Sequence, residues 1–169
     1  RSLTIPNSVK SIKESAFGLC RSLQSVTIGS GIDSISDDAF IACTSLTSVI
    51  WNAKQCQDFS FTHTPFYSDS NNGYNYLVEL GYYDNNYDLR EQILSFQFGD
   101  SVETLPDYIC NGMSNLESVI LPDSVKSIGD YAFFGCGNLA SITIPSSVTN
   151  IGYNAFLNTG ITSLVYNAT

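Results

Sequence analysis

Residues 5–28 read IPNSVKSIKESAFGLCRSLQSVTI, and this stretch recurs along the chain. Its apolar and small residues stand at fixed offsets from the first residue: Ile5, Val9, Ile12, Ala16, Phe17, Cys20, Leu23 and Val26. Adding 23 to each number gives a second set: Ile28, Ile32, Ile35, Ala39, Phe40, Cys43, Leu46 and Val49. A third set starts at Leu121, and looser copies start at Phe98 and Ile144. A fixed period of this length is typical of stacked coils that bury their apolar faces against one another.

Each repeat is therefore predicted to form one coil of a mainly β solenoid. The pattern Leu23-x-x-Val26-x-Ile28 alternates apolar and polar residues, which favours a β-strand. Strand-ending residues follow in every copy: Pro6, Gly29, Asn52, Gly99, Pro122, Pro145 and Asn167. A second short extended piece then passes through Val9 and Ile12. We expect right-handed coils of about 23 residues, with like strands forming a parallel sheet.

An acidic residue stands just before the Ala-Phe pair in four copies: Glu14, Asp37, Asp107 and Asp130. A carboxylate at the start of a helical turn can accept hydrogen bonds from free backbone N–H groups and meets the positive end of the dipole. We therefore expect each carboxylate to cap a short helical or 3-10 turn of its own coil.

Composition excludes several classes of function. The chain of 169 residues has 7 basic and 16 acidic residues and a net charge of −9. Nucleic-acid binding depends on clustered Lys and Arg, and anionic membrane surfaces attract the same residues, so neither partner is expected. The sequence contains no apolar run of the ~20 residues needed to cross a bilayer. We expect no membrane insertion by this segment.

Three of the five cysteines share one column of the repeat: Cys20, Cys43 and Cys136. A buried free cysteine behaves as a small hydrophobic residue, which is the interpretation we favour for this column. Cys20 and Cys43 would lie on adjacent coils about 5 Å apart, within the reach of a disulfide, so a bridge between them stays open. No His or Cys-x-x-Cys pair accompanies them, so a metal site is not indicated.

Residues 116–136 carry the pattern Leu-x-x-Val-x-x-Pro-x-Ser-Val-x-x-Ile-Gly-x-x-Ala-Phe-x-x-Cys. This pattern resembles the BspA-like leucine-rich repeat of bacterial and protist surface proteins. The resemblance covers residues 1–67 and 93–169, and it implies an α/β-type leucine-rich repeat solenoid displayed outside the cell. It also implies adhesion or protein binding, and it transfers no catalytic residue, because the motif positions are structural.

The stretch 51–97 departs from the period. Regular coils are assigned to residues 1–50 and 93–169, and an irregular coil to 51–67. Trp51 starts this coil, and Phe66 is assigned to the cysteine column. The position held by Leu23 and Leu46 in the regular coils is filled next by Ile93, which stands 24 residues later than the period predicts. An insertion at about 68–91 is preferred to a decayed extra coil. Strand-like residues 74–80 between turn-forming stretches predict a small hairpin in this insertion.

Catalytic and metal-binding patterns are weak. His63 is the only histidine, and Asp58 and Cys56 near it are too few to predict a nucleophile–base system. Residues 84–88, DNNYD, imitate the start of a calcium loop, but Leu89 replaces the glycine and Ser95 the twelfth-position glutamate. We therefore predict no enzyme activity, no cofactor and no metal.

The outward side of the main sheet is the first candidate binding surface, since concave solenoid sheets commonly bind partners. One outward row is uniform: Ser2, Ser25, Ser48, Ser95, Ser118, Ser141 and Ser163. The neighbouring row varies: Thr4, Thr27, Ile50, Gln97, Ile120, Thr143 and Val165. Uniform serine suits close stacking, whereas a ligand site differs from coil to coil. The variable row is therefore the predicted recognition surface.

The insertion is the second candidate surface. Six of the ten tyrosines lie in it or at its edge: Tyr67, Tyr74, Tyr76, Tyr82, Tyr83 and Tyr87. Tyr mixed with Asn and Gly is typical of adaptable binding loops. The alternative is a hairpin whose tyrosines cover the flank of the solenoid.

These patterns predict a non-catalytic binding or adhesion module for a protein or glycan partner, with a structural spacer as the alternative. Both ends of the sequence fall inside a repeat, so we expect a fragment of a longer extracellular or cell-surface protein. Unpaired sheet ends and apolar columns would then favour end-to-end self-association of the fragment.

Overall fold

The computed structural model describes residues 1–61, 63–68 and 89–166, with the backbone alone at residues 68 and 164–166. Over these ranges the chain winds through successive coils, which we number by their first residues. Coils 1 to 6 begin at Ile5, Ile28, Trp51, Phe98, Leu121 and Ile144.

One side of the solenoid is a parallel sheet, here called the main sheet. Strands β1 (Ser2–Thr4), β3 (Ser25–Ile28), β5 (Ser48–Trp51), β8 (Ser95–Phe98) and β10 (Ser118–Ile120) pair in that order. Strand β12 (Ser141–Ile144) contacts β10 and pairs in parallel with β14 (Ser163–Tyr166). Like positions pair across the coils, as the predicted solenoid requires.

The main sheet passes the irregular region without a break. Ser48 of β5 pairs with Ser95 of β8, and the Ser95 hydroxyl donates to the Ser48 hydroxyl at 3.0 Å across 47 residues of sequence. The last coil is one residue short, because Ser141 pairs with Ser163. Both departures from the period predicted from the sequence are therefore absorbed outside the main sheet.

The second set of strands is shorter and is interrupted. Strands β2 (Ser11–Ile12) and β4 (Ser34–Ile35) form one parallel pair, and β9 (Thr104–Leu105), β11 (Ser127–Ile128) and β13 (Asn150–Ile151) form a three-stranded sheet. Coil 3 separates them. There the Gln57 N–H donates to the Asp33 carbonyl at 3.0 Å, and an antiparallel hairpin of β6 (His63–Thr64) and β7 (Tyr67–Ser68) follows.

The corner after the second strand consists of hydrogen-bonded turns rather than helix. Left-handed residues recur at two steps of the regular coils: Ser15, Asp38, Tyr108, Tyr131 and Asn154 at the first, and Leu19, Ala42, Gly112, Gly135 and Asn158 at the second. Residues with positive φ interrupt any helical run. Within the described ranges, the one 3-10 helix spans Arg90–Gln92, at the end of the predicted insertion.

The predicted cap within each coil is wrong for two carboxylates. Oδ1 of Asp107 accepts the N–H of Asp130 at 2.7 Å, and Oδ1 of Asp130 accepts the N–H of Tyr153 at 2.7 Å. Each carboxylate therefore satisfies a backbone donor of the following coil. The reason is that like positions lie one strand spacing apart, which brings the neighbouring N–H within reach.

A column of phenylalanine rings forms part of the core. Phe17 stacks on Phe40 at 5.3 Å and Phe40 on Phe66 at 5.9 Å between ring centroids. Phe133 stacks on Phe156 at 5.3 Å, and Cys110 holds the same step in coil 4. The assignment of Phe66 to the cysteine column is wrong, because its ring continues the phenylalanine column. Three extra residues therefore lie between Trp51 and Phe66.

Aromatic side chains fill the core beside the irregular coil. Phe96 contacts Trp51 at 6.3 Å, Phe66 at 6.2 Å and Phe98 at 4.9 Å between ring centroids. The indole N–H of fully buried Trp51 has no hydrogen-bond partner among the described residues. Bulky rings thus occupy the volume that regular coils fill with Val and Ile.

The cysteines are free thiols, which settles the open question of a Cys20–Cys43 bridge in this structure. The Cys43 thiol donates to the Phe17 carbonyl at 3.1 Å, and the Cys136 thiol donates to the Cys110 carbonyl at 3.2 Å. Burial raises the pKa of Cys43 and of Cys136 to about 12. The predicted packing role is therefore confirmed for Cys43 and Cys136, whereas Cys20, in the first coil, is exposed.

The predicted hairpin over residues 74–80 lies outside the described residues. Leu89 is the first described residue after this gap. It is fully buried, and its N–H donates to the Phe66 carbonyl at 3.1 Å. In coil 2 the Cys43 N–H donates to the Phe40 carbonyl at 3.1 Å. Leu89 therefore takes the place of the column cysteine in coil 3.

Candidate binding surfaces

The variable row lies on the outer side of the main sheet. Thr4, Thr27, Ile50, Gln97 and Ile120 are aligned on five adjacent strands, and Thr143 occupies the same position on β12. Strand alternation directs their neighbours Val26, Val49 and Phe96 into the core. The fold therefore brings the predicted row together on one face; Thr27 is half-buried, and the others are exposed.

Two members of this row are large apolar side chains that are exposed on the outer face of the sheet. Ile50 is 36% exposed and Ile120 is 62% exposed, with Gln97 between them on the intervening strand. Thr or Ser would serve a solvated strand equally well, as Thr4, Thr27 and Thr143 show. The row thus presents apolar side chains on the two strands that flank β8.

The serine row also lies outward, and its central members are half-buried against one another. The Ser48–Ser95 hydroxyl pair shows how a small polar residue allows adjacent strands to approach. This contact supports the structural interpretation of the serine row.

The insertion tyrosines Tyr74, Tyr76, Tyr82, Tyr83 and Tyr87 lie outside the described residues. Tyr67, at the edge of the insertion, is described and half-buried. The Arg90 guanidinium lies 3.6 Å from the centre of its ring and donates to Asn111 Oδ1 at 3.3 Å. Tyr67 therefore belongs to a junction between coils 3 and 4.

His63 lies between two oxygen-bearing side chains. Its Nδ1 is 3.2 Å from Ser60 Oγ, and its Nε2 is 3.6 Å from Asp37 Oδ2. The His63 and Asp37 side chains are 46% and 42% exposed, and 3.6 Å is too long for a hydrogen bond. Burial raises the pKa of the Cys56 thiol to about 12, so Cys56 is protonated at neutral pH and is a poor nucleophile.

The described part of the chain contains neither a group of metal-ligating side chains nor a helix able to span a membrane. No group of three or more His, Cys, Asp or Glu side chains there is arranged to hold a metal ion. The calcium-like residues 84–88 lie outside it. Likewise, no helix in the described ranges combines the length and the hydrophobicity that crossing a membrane requires.

One cluster was missed by the sequence analysis. Tyr108 and Tyr131 stack at 4.9 Å between ring centroids, and Tyr131 contacts Tyr153 edge-on at 5.6 Å. The signal was present in the numbering, because Tyr131 follows Tyr108 by 23 residues, the period of the repeat.

Comparison with known proteins agrees with the fold. A leucine-rich cell surface protein from Faecalibacterium prausnitzii superposes with a TM-score of 0.60 at 26% identity, covering 99% of this chain and 39% of that one. The pneumococcal vaccine antigen PcpA gives 0.59 at 20% identity, covering 97% and 39%. The T. pallidum leucine-rich repeat protein gives 0.55 at 20% identity, covering 89% and 68%. The last two show the fold alone.

This chain therefore spans about two-fifths of the length of the F. prausnitzii protein. No curated protein matches it in sequence. The family model for the BspA type leucine-rich repeat region matches six copies of its repeat, over residues 1–73 and 84–169. The match to the family model and the repeated core positions of the coils agree: the chain belongs to the BspA-type leucine-rich repeat family.

Proposed function

We propose that this chain is a non-catalytic binding module of an exported or cell-surface protein, and that the variable row of the main sheet contacts a protein partner. The observation that carries the proposal is the exposure of Ile50 and Ile120 on either side of Gln97. Exposed apolar side chains grouped on a rigid face are typical of interaction sites.

A protein partner fits this row better than a glycan does. Branched aliphatic side chains bury well against apolar protein surface, whereas sugar rings are usually bound by open aromatic faces. Gln97 adds a donor and an acceptor between the two isoleucines. The sheet backbone holds the three side chains at fixed spacing, so little conformational entropy is lost on binding.

One similar protein supports the proposed location outside the cell. The F. prausnitzii protein is described as a leucine-rich cell surface protein, and this chain is similar to it over 99% of its own length. A location outside the cell also suits a repeat scaffold that holds binding surfaces away from the membrane.

The test replaces both isoleucines by the threonine that other coils carry at this position. Ile50→Thr/Ile120→Thr keeps β-propensity and removes the apolar contacts. Surface plasmon resonance against immobilised extracellular-matrix and serum proteins should show binding of the unaltered chain, weakened about tenfold or more in the double variant. Leu157→Thr, which changes a 47% exposed side chain outside the main sheet, should bind normally.

Two results would decide against the sheet face. Unchanged binding by the double variant would place the contact elsewhere, and absence of any binding partner would favour the structural spacer. Alanine at Tyr74, Tyr76, Tyr82 and Tyr83 supplies the parallel test of the insertion as a second contact region. Loss of binding in that variant, with the isoleucine variant unaffected, would assign recognition to the insertion.

A further inference from the structure

Cys20 and Cys43 occupy the same position of two adjacent coils. Each follows a residue in the left-handed conformation, Leu19 with φ of 60° and Ala42 with φ of 56°. The carbonyl of each cysteine accepts a backbone N–H from the residue three positions later, at 2.9 Å in both coils. The two cysteines therefore share one local conformation, and their side chains leave the backbone in the same direction, one coil apart.

Backbone hydrogen bonds fix the register of coils 1 and 2 beside this pair. The Phe17 N–H donates to the Ala39 carbonyl at 2.9 Å, and the Leu19 N–H donates to the Ile41 carbonyl at 2.8 Å. The rings of Phe17 and Phe40 stack at 5.3 Å between centroids. Like positions of parallel, hydrogen-bonded neighbours lie about 4.8 Å apart. This spacing falls within the range of about 4.4–6.8 Å that separates the Cα atoms of a disulfide.

The Cys43 sulfur points back into coil 1. Its thiol donates to the Phe17 carbonyl at 3.1 Å, and the Cys20 N–H donates to the same carbonyl at 3.4 Å. One oxygen atom therefore contacts both the Cys43 sulfur and the Cys20 backbone. Burial raises the pKa of Cys43 to about 12; the Cys20 N–H lowers it, and the Cys20 side chain adds to the rise. Such mutual effects require that the two side chains lie close together.

The two thiols differ in their access to solvent. Cys43 is buried, whereas Cys20 is exposed. Cys20 also lines a surface hollow of about 470 Å³, together with Leu3, Phe17 and Leu23. A small reagent can therefore reach Cys20 from solution, while Cys43 is shielded from it by the folded chain.

We propose that Cys20 and Cys43 form a disulfide that ties coil 1 to coil 2, with a low-molecular-weight disulfide as the oxidant. The Cys20 thiolate attacks one sulfur of the oxidant, which releases a first thiol and leaves a mixed disulfide on Cys20. The Cys43 thiolate then attacks the Cys20 sulfur, and the second thiol of the oxidant leaves. The cysteines lose two protons and two electrons, and the oxidant gains both.

Closure of the bridge requires a small movement. The Cβ atoms of like positions also lie about 4.8 Å apart, whereas those of a disulfide lie about 3.5–4.5 Å apart. The two turns must therefore approach by a few tenths of an ångström or more. Cys20 lies in an exposed turn, so its side of the pair can move without disturbing the buried core.

A second pair of cysteines lacks these features and supplies an internal control. The Cys136 thiol donates to the Cys110 carbonyl at 3.2 Å, but these residues stand 26 positions apart and both are buried. Met113, which stands 23 residues before Cys136, holds the corresponding position of coil 4. We therefore expect Cys110 and Cys136 to remain reduced.

The bridge is independent of the variable row of the main sheet. Its occurrence in the native setting rests on the location outside the cell proposed above, where disulfides persist. Its chemistry can be tested on the isolated chain. A negative result there would leave the proposed binding function untouched.

Mass spectrometry after oxidation supplies the test. The folded chain is incubated with oxidised glutathione at pH 8 and quenched with acid, and free thiols are then alkylated in denaturant without reduction. We expect a monomer that has lost two hydrogen atoms. Its proteolytic digest should contain Cys20 and Cys43 in one cross-linked peptide pair, with Cys56, Cys110 and Cys136 alkylated.

Serine variants separate the two steps of the reaction. Cys43→Ser should stop at the mixed disulfide, with glutathione bound to Cys20, and Cys20→Ser should stay unmodified. The matched control Cys136→Ser changes a buried thiol of the same column and should form the bridge at a rate within about twofold of the unaltered chain. Circular dichroism of each variant should match that of the unaltered chain.

Three outcomes would overturn the proposal. The first is a glutathione adduct on Cys20 as the final product of the unaltered chain, which would show that Cys43 cannot reach it. The second is a dimer joined through Cys20 as the main product. The third is a bridge that forms only when denaturant is present, because the folded coils would then not hold the two thiols together.

Discussion

Coil 2 and coil 3 both contribute a strand to the main sheet and a ring to the phenylalanine column, but their sequences differ in spacing. In coil 2 the period is intact, strand β4 pairs with β2, and Phe40 lies between the rings of Phe17 and Phe66. Coil 3 has three extra residues before Phe66 and an insertion after it, and an antiparallel hairpin follows where the second strand is lost. The main sheet and the phenylalanine column nevertheless pass through both coils. In coils 2 and 3 these two features are retained, whereas the second strand is not.

The largest expected change in stability comes from removing rings of the phenylalanine column, and it tests whether coil 3 contributes to that column as coil 2 does. Phe40→Ala and Phe66→Ala each remove a ring with 0% and 1% exposure, so each should lower the free energy of unfolding by about 3–5 kcal/mol. Chemical denaturation followed by circular dichroism measures both. Phe156→Ala, at a half-buried ring, should have a smaller effect and serves as the control. A loss below about 1 kcal/mol for Phe66→Ala would separate coil 3 from the column.

A smaller effect concerns the left-handed turn of the regular coils. Gly135 has φ of 76°, and a Cβ added there would meet nothing closer than the Gly112 Cα at 3.6 Å. Gly135→Ala should therefore cost about 1 kcal/mol through the backbone alone. Ala42 already occupies the same step with φ of 56°. Ala42→Gly should stay within about 0.5 kcal/mol, because relief of strain offsets the greater entropy of the unfolded chain. Thermal unfolding of the two variants provides the comparison, and equal losses would contradict it.

The last comparison, which has no effect on stability at neutral pH, concerns thiols from the two coils. Burial raises the pKa of Cys43 in coil 2 and of Cys56 in coil 3 to about 12, from an unfolded value near 9. Below pH 9 both states keep these protons, so stability is unaffected. Between about pH 9 and 12 the unfolded state loses them first, so the free energy of unfolding falls as pH rises.

Alkylation gives the corresponding measurement. At pH 8, iodoacetamide followed by mass spectrometry should label exposed Cys20 and leave Cys43 and Cys56 unmodified until denaturant is added. Rapid labelling of Cys56 alone would mean that coil 3 opens independently of its neighbours.

The core residues that repeat every 23 positions were predictable, because a constant spacing in sequence places them at the same position of successive coils. Phe17, Phe40 and Phe133 each stand 12 residues after the first residue of their coils. In the structure their rings belong to the predicted column. The outward row from Thr27 to Ile120 followed from strand alternation for the same reason. These features depend on period alone, and period is visible in a single sequence.

Contacts between coils with unequal spacing were not predictable. Phe66 was misassigned because counting from Trp51 cannot reveal three extra residues absorbed before the ring. The carboxylates of Asp107 and Asp130 were assigned to their own coils, since sequence proximity favours a local cap. In the structure the next coil lies as near in space as the local turn, and its backbone N–H donates to the carboxylate at 2.7 Å.

The Ser48–Ser95 pairing has an implication for engineering. Adjacent strands stay hydrogen-bonded although 47 residues separate them in sequence. The entropy lost on closing such a loop rises only with the logarithm of its length, by about 0.6 kcal/mol per doubling. The position between Ser68 and Leu89 is thus a natural graft site, where foreign epitopes or enzyme domains could be carried without rebuilding the scaffold.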